Sequence, residues 1–117
     1  MEDPDESLRD LAKLQSDFAM HLGARVVSAS KDRIEMEMEV TQSLANRNGV
    51  LHGGAIMGLA DNAGGTATIL NLPSGKSTTT LESKTNFLRP IRIGDWARAI
   101  CEPLHRGRTT QIWHTRI

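Results

Sequence analysis

Residues 53–65 read GGAIMGLADNAGG, a segment that combines helical periodicity with five glycines and a single acid. Each glycine inside a helix costs about 1 kcal/mol relative to alanine, so some other gain must outweigh that loss. The apolar periodicity continues to about residue 70, and residues 71–75 (NLPSG) follow it as a stop and a turn. A central helix over about 53–70 is therefore predicted.

The apolar side chains of this helix separate from its glycines at about 100° per residue. The predicted sheet-facing side carries Ile56, Ala60, Ala63, Ala67 and Leu70. The opposite side carries Gly54, Gly58, Asp61 and Gly65. These glycines form a shallow groove with one carboxylate in it, which another backbone or a flat ligand can approach closely. Close helix packing with Asp61 at a solvated edge explains the same pattern, and periodicity alone does not separate the two interpretations.

Periodic segments on both sides of the central helix predict an α+β fold. Apolar residues at steps of three and four predict an amphipathic helix over about 6–22, ending at Gly23. Strict alternation in RIEMEMEV (33–40) predicts a strand, which forms a hairpin with ARVVSAS (24–30). Further strands are predicted in STTTLESKTNFL (77–88), DWARAICEPL (95–104) and RTTQIWHTRI (108–117). This order predicts a single domain over 1–117, with an antiparallel sheet against one helix.

Composition argues against several classes of protein. The 117 residues suffice for one core, and 14 Lys+Arg balance 14 Asp+Glu, so a nucleic-acid partner is not predicted. Cys101 is the only cysteine, and the acidic start MEDPDES lacks the regions of a signal peptide, which predicts a cytoplasmic location. No apolar run approaches the roughly 20 residues of a membrane span. The four histidines have no zinc-binding spacing, so no metal is predicted.

The start of the central helix supplies a second chemical feature. Residues 48–54 (NGVLHGG) bring backbone N–H groups to the positive end of a helix, where an oxyanion is stabilised. Asp61 lies eight residues beyond Gly53, about 12 Å along the axis, too far for both to act on one carbonyl. Two such helices packed antiparallel about a twofold axis bring Gly53 of one subunit beside Asp61 of the other. An obligate dimer with two shared sites for acyl chemistry is therefore predicted.

Four separate motifs resemble those of one known family. They are NRNGVLHGG (46–54), LADNA (59–63), TLE (80–82) and NFLRP (86–90). In this order they resemble the PaaI-like branch of the hot-dog-fold acyl-CoA thioesterases. The resemblance implies a curved antiparallel sheet wrapped around the central helix, paired into a homodimer and often a homotetramer. It also implies hydrolysis of an acyl-CoA or aryl-CoA thioester to the free acid, with coenzyme A as part of the substrate and no cofactor.

The resemblance assigns a role to five residues. Asp61 matches the catalytic carboxylate, which acts as a general base on water or as a nucleophile. Gly53 matches the residue whose backbone N–H polarises the thioester carbonyl, and Asn46 matches a side chain near that carbonyl or the attacking water. Thr80 matches a hydroxyl that helps to place the water. His52 matches the histidine before the paired glycines, and a structural hydrogen bond in the loop explains it as well as a catalytic role does.

Four further residues are predicted to contact the substrate. Gly54 lies on the groove side of the central helix, beside the predicted oxyanion donor. Arg89 and the basic turn with Arg106 and Arg108 are predicted to meet the phosphates of coenzyme A.

Several alternatives stay open at this stage. A non-hydrolytic acyl-CoA-binding or assembly module of the same fold is the main rival to a thioesterase, and a hot-dog dehydratase is the third. Family members carry another strand after the last one predicted here, so either the natural chain is longer or the sheet is completed by exchange between subunits. The preference for acyl or aryl groups, and for a dimer or a tetramer, is also open.

Overall fold

The protein consists of an antiparallel sheet with helices packed on one of its faces. A computed structural model of the chain describes residues 4–117, so residues 1–3 of the acidic start lie outside the described residues. The helices are α1 (Pro4–Lys13), α2 (Asp17–Leu22) and α3 (Gly53–Leu70), with a 3₁₀ turn at Gln42–Leu44. The strands are β1 (Arg25–Ala29), β2 (Ile34–Glu39), β3 (Trp96–Arg106) and β4 (Gln111–Arg116), in the spatial order β1-β2-β3-β4. Within residues 4–117 no helix is long and apolar enough to cross a membrane.

The core lies between α3 and the two central strands of the sheet. The alternation predicted for β2 is confirmed, because Ile34, Met36 and Met38 are fully buried while the glutamates between them face outward. Opposite these three residues, β3 places Cys101, Ala99 and Ala97 in register. The small β3 side chains let the helix approach the sheet, and the flexible methionines fill the space that remains.

The helix α3 has the predicted bounds, but it packs on the sheet through a face rotated from the predicted one. The buried set is Ala55, Leu59, Ala63, Thr66, Ala67 and Leu70. Ile56 and Ala60, which were predicted to face the sheet, are only half-buried. The buried face is shifted toward α2, because Phe18 and Leu22 of that helix pack against Gly58. The predicted open groove is therefore filled at Gly58 by the same chain.

The N-terminal region contains two helices where the sequence predicted one over 6–22. Ser16 starts the second helix, because its hydroxyl accepts a hydrogen bond from the backbone N–H of Ala19 at 3.1 Å. The preceding Gln15 turns away from a helical path and donates to Thr66 Oγ1 of α3 at 3.0 Å. The predicted end at Gly23 is confirmed by its left-handed backbone, with φ of 75°.

Residues 77–88 do not form the strand that the sequence predicted. A strand needs a neighbour for its backbone N–H and C=O groups, and within residues 4–117 no segment forms a ladder with this one. The segment lies against α3 instead, where Thr80 contacts Asp61 and Phe87 contacts Gly53. Tertiary position, and not β-propensity, decides its conformation.

Cys101 is a buried core residue, as the alternation around it predicted. Burial raises the pKa of its thiol, and a hydrogen bond with Thr115 opposes that rise. A buried thiol with a raised pKa is a poor nucleophile, so Cys101 has a packing role.

Candidate active site

The first turn of α3 has one backbone donor without a partner in the described part of the chain. His52 is the N-cap residue, and its Nδ1 accepts a hydrogen bond from the Gly54 N–H at 2.8 Å. Its carbonyl oxygen accepts from the N–H groups of Ala55 and Ile56, at 2.9 and 3.1 Å. The Gly53 N–H has no partner within residues 4–117. This N–H is therefore available for a ligand at the positive end of the helix.

The loop before α3 presents a second donor near the first. Asn46 Oδ1 accepts hydrogen bonds from the N–H groups of Asn48 and Val50, at 2.8 and 3.4 Å. These bonds close the loop, which also needs the positive φ of 76° at Gly49. With its oxygen engaged, the Asn46 side chain has its amide nitrogen left as a donor, since that nitrogen has no partner within the described chain.

Asn46 and Gly53 line the same cleft, which has a volume of about 350 Å³. The rest of its lining is Val50, Leu51, Ile56, Phe87, Leu88, Arg89 and Pro90. Most of these side chains are apolar, and a low-polarity surrounding strengthens a hydrogen bond to a developing negative charge. The cleft thus combines two N–H donors, an apolar wall and the cationic side chain of Arg89.

Asp61 lies outside this cleft, further along the same helix. Its carboxylate is exposed, and Oδ1 accepts a hydrogen bond from the Thr80 hydroxyl at 2.7 Å. The eight-residue separation from Gly53 corresponds to about 12 Å along α3. The structure therefore places the carboxylate beside the Thr80 hydroxyl, but it does not bring either group to the cleft of the same chain.

The remaining predicted residues fall in two other places. His52 and Gly54 line a second cleft of about 290 Å³ between α2 and the start of α3. Arg106 lies at the far end of α3, where its Nη1 donates to Asp32 Oδ1 at 2.7 Å and to the Lys31 carbonyl at 3.1 Å. Arg108 is exposed in the turn after β3. Neither arginine reaches the Gly53 cleft in this chain, so their role at a phosphate stays a prediction.

Two residues near the cleft were not identified from the sequence. The ring of Phe87 covers Gly53, since a β-carbon added there would lie 3.3 Å from Phe87 Cε1. Arg92 pairs with Val50 in an isolated antiparallel bridge, which directs both side chains to the same face. Phe87 belongs to the NFLRP motif, but the sequence does not show that its ring covers Gly53; only the structure shows this contact. No sequence signal distinguishes Arg92 from other exposed arginines.

An oxyanion donor in an apolar cleft, on a helix packed against an antiparallel sheet, fits a protein that acts on activated acyl groups. The sequence profile of the thioesterase superfamily matches residues 48–117, which is more than half of the chain. The chain belongs to the thioesterase superfamily, and it is a thioester hydrolase with a hot-dog fold.

Known relatives agree with this family across most of the chain. The proofreading thioesterase EntH of Cronobacter turicensis is 33% identical over 93 residues, which are 80% of this chain and 67% of the relative. The crystal structure of thioesterase HI1161 from Haemophilus influenzae superposes with a TM-score of 0.82 at 32% identity, covering 98% of this chain and 78% of that one. The PaaI protein of E. coli has a TM-score of 0.83 at 24% identity, covering 96% and 79%, and supports the fold alone.

Proposed function

We propose that the protein hydrolyses acyl-CoA or aryl-CoA thioesters to the free acid and coenzyme A. The observation that carries this proposal is the free Gly53 N–H beside the Asn46 amide in an apolar cleft. The thioester carbonyl oxygen accepts from these donors, which stabilise the negative charge that develops on it in the transition state. The reaction needs water and one carboxylate besides these donors. We propose no metal or cofactor, because coenzyme A enters as part of the substrate.

The carboxylate is Asp61 of a second subunit in this proposal. It acts as a general base on the attacking water or as the nucleophile, and the Thr80 hydroxyl at Oδ1 helps to place the water. Collapse of the tetrahedral intermediate then expels the thiolate of coenzyme A. The distance of about 12 Å between Gly53 and Asp61 along one helix favours this division between subunits.

An apolar surface around Asp61 supports the dimer. Met57 lies one turn before Asp61 on the same side of α3 and is 38% exposed. Leu81, which follows Thr80 on the segment beside this helix, is 83% exposed. A second copy of the chain would cover this surface and bring its own Gly53 cleft to Asp61. We propose a homodimer on this basis, with a homotetramer as its larger form.

The test of this function is release of free thiol from a panel of acyl-CoA and aryl-CoA thioesters. We expect turnover with at least one group of substrates, and the ranking of rates will identify the preferred acyl group. Matched oxygen esters serve as the control, because an alkoxide is a poorer leaving group than a thiolate. Absence of turnover from folded protein across the whole panel would contradict hydrolysis and favour a binding module.

Arg89 is proposed to bind a phosphate of coenzyme A, since it lines the cleft and has no ion-pair partner within the described chain. The substitution Arg89→Gln is expected to raise KM for an acyl-CoA about fivefold, which corresponds to about 1 kcal/mol for an exposed charge pair. The KM for the corresponding acyl-pantetheine, which lacks phosphate, should not change. Steady-state kinetics with both substrates make the comparison.

The matched control for Arg89 is Arg98→Gln. Arg98 is exposed on β3 between the buried residues Ala97 and Ala99, so it points away from the core on the outer face of the sheet. This variant should behave as wild type with both substrates. An equal rise in KM for acyl-CoA and acyl-pantetheine in Arg89→Gln would show that Arg89 does not act on phosphate.

A further inference from the structure

The two glycines at the start of α3 each lie close against an aromatic ring. A β-carbon added at Gly54 would lie 3.1 Å from Nδ1 and 3.4 Å from Cε1 of His52. A β-carbon added at Gly53 would meet Phe87 instead, on the other side of the turn. Gly54 thus provides the space in which the imidazole folds back onto its own helix. A β-carbon at this position would require the ring to shift by a few tenths of an ångström relative to the N–H group that it binds.

The hydrogen bond to Gly54 determines which nitrogen of His52 carries hydrogen. Nδ1 accepts from the Gly54 N–H at 2.8 Å, and a nitrogen that accepts cannot carry a proton of its own. The neutral ring therefore has its hydrogen on Nε2. Nδ1 is also blocked as a base toward water, because its lone pair is already engaged.

Because the His52 ring binds the Gly54 N–H, the Gly53 N–H is the one donor of this helix start that has no partner within residues 4–117. A helix start has four N–H groups without helical partners, here those of His52, Gly53, Gly54 and Ala55. The His52 N–H donates to the Leu44 carbonyl at 2.8 Å, the His52 ring accepts from Gly54, and the His52 carbonyl accepts from Ala55. Only the Gly53 N–H lacks a partner within residues 4–117, and its direction is fixed because the turn around it is held at both ends.

We propose that His52 is a positioning residue, whose ring caps α3 through Nδ1 and so holds the Gly53 N–H toward the thioester carbonyl. It transfers no proton in the reaction. This inference rests on the proposed function, and it separates the two roles that the sequence left open for His52. The ring acts as the acceptor that a serine or asparagine usually provides at a helix start.

Two substitutions of His52 test the proposal through kinetics. Asparagine is a strong N-cap residue with a side-chain acceptor, so His52→Asn is expected to keep kcat within about threefold of wild type. Alanine has no acceptor, so His52→Ala should lower kcat about tenfold or more with KM nearly unchanged, because the donor is misplaced. The variant Gly54→Ala retains the imidazole but shifts it by a few tenths of an ångström, so its kcat should fall between those of wild type and His52→Ala.

Two kinetic results would overturn the proposal. If His52→Asn is as slow as His52→Ala, the imidazole itself takes part in the reaction. If His52→Ala keeps the wild-type kcat while its melting temperature falls, the cap serves stability alone. Melting curves recorded beside the kinetics ensure that rates are compared on folded protein.

An ¹⁵N NMR spectrum of the imidazole provides a readout that does not depend on turnover. We expect the Nε2–H form, with Nδ1 unprotonated and accepting, in the wild type, and a weaker hydrogen bond to Nδ1 in Gly54→Ala. A proton on Nδ1 in the neutral ring would refute the cap. If wild type hydrolyses no thioester but shows this spectrum, the proposed function fails while the cap stands.

Discussion

Replacement of Asp61 by alanine is expected to lower kcat for thioester hydrolysis by about 10²–10⁴-fold, the range for loss of a general base. The folded state should be nearly unaffected. Asp61 is exposed, and its hydrogen bond within the described chain comes from the Thr80 hydroxyl, so its loss should cost about 1 kcal/mol or less. Steady-state thiol release and thermal melting of the same preparation measure the two effects.

Two further variants make this experiment specific. Asp61→Asn keeps the shape of the side chain and an acceptor for Thr80 but lacks the charge, so substrate binding should persist while kcat falls as in Asp61→Ala. Glu39→Gln removes a carboxylate from an exposed position at the end of β2 and should leave kcat unchanged. Undiminished turnover in Asp61→Ala would contradict the proposed mechanism.

Label found on Asp61 after a single turnover in H₂¹⁸O would identify Asp61 as the nucleophile. As a general base, Asp61 activates water that attacks the acyl carbon, so the labelled oxygen enters the acid product directly. As a nucleophile, its carboxylate forms a mixed anhydride and expels the thiolate. Water that attacks the aspartyl carbonyl of this anhydride leaves the label on Asp61, and an unlabelled oxygen from Asp61 enters the product.

Mixing two inactive variants is expected to restore activity if each site is shared between subunits. The first is Asp61→Ala, and the second is Gly53→Pro, which removes the N–H group of the proposed oxyanion donor. Proline is favoured at the first position of a helix, and the preceding His52 has φ of −62° and ψ of 138°, the conformation that a following proline requires. Loss of one such donor alone should lower kcat by about 10²–10³-fold.

In a hybrid dimer, one of the two sites combines an intact Gly53 with an intact Asp61. With random exchange half of the dimers are hybrids, so an equal mixture should recover about a quarter of the wild-type activity. Gly53→Ala is the matched control, since its β-carbon meets Phe87 as that of proline does, while the N–H remains. No recovery, with exchange verified by differently tagged subunits, would place a complete site within one chain.

Most of the fold follows from local patterns in the sequence. The alternation of Ile34, Met36 and Met38 identifies a half-buried strand because successive side chains in a strand point to opposite faces. The bounds of α3 were predicted correctly because polar turns flank an apolar periodic segment. The break at Ser16 was missed, since the apolar periodicity continues across it and only the cap and the Gln15 contact with α3 reveal it.

Some of the residues singled out in the sequence lie together in the structure, and their catalytic roles stay predictions. Asn46, Gly53 and Arg89 line one cleft, and the Asp61 carboxylate meets Thr80, although each pair is separated by long stretches of chain. The family motifs carried this information, because a motif identifies residues by their type and order even when they are far apart along the chain. The anchoring of Arg106 to Asp32 was not foreseen, since an arginine in a basic turn has no sequence feature that reveals its ion-pair partner.

The sequence by itself determined the elements whose conformation depends on local periodicity and caps, together with the types of groups available for chemistry. Only the tertiary structure decided which face of α3 is buried, because both α2 and the sheet pack against this helix. It also decided that residues 77–88 form no strand, since a ladder requires a hydrogen-bonded neighbour that propensity cannot supply. The free Gly53 N–H likewise depends on the whole first turn, because a donor is free only when every nearby acceptor is already engaged or out of reach.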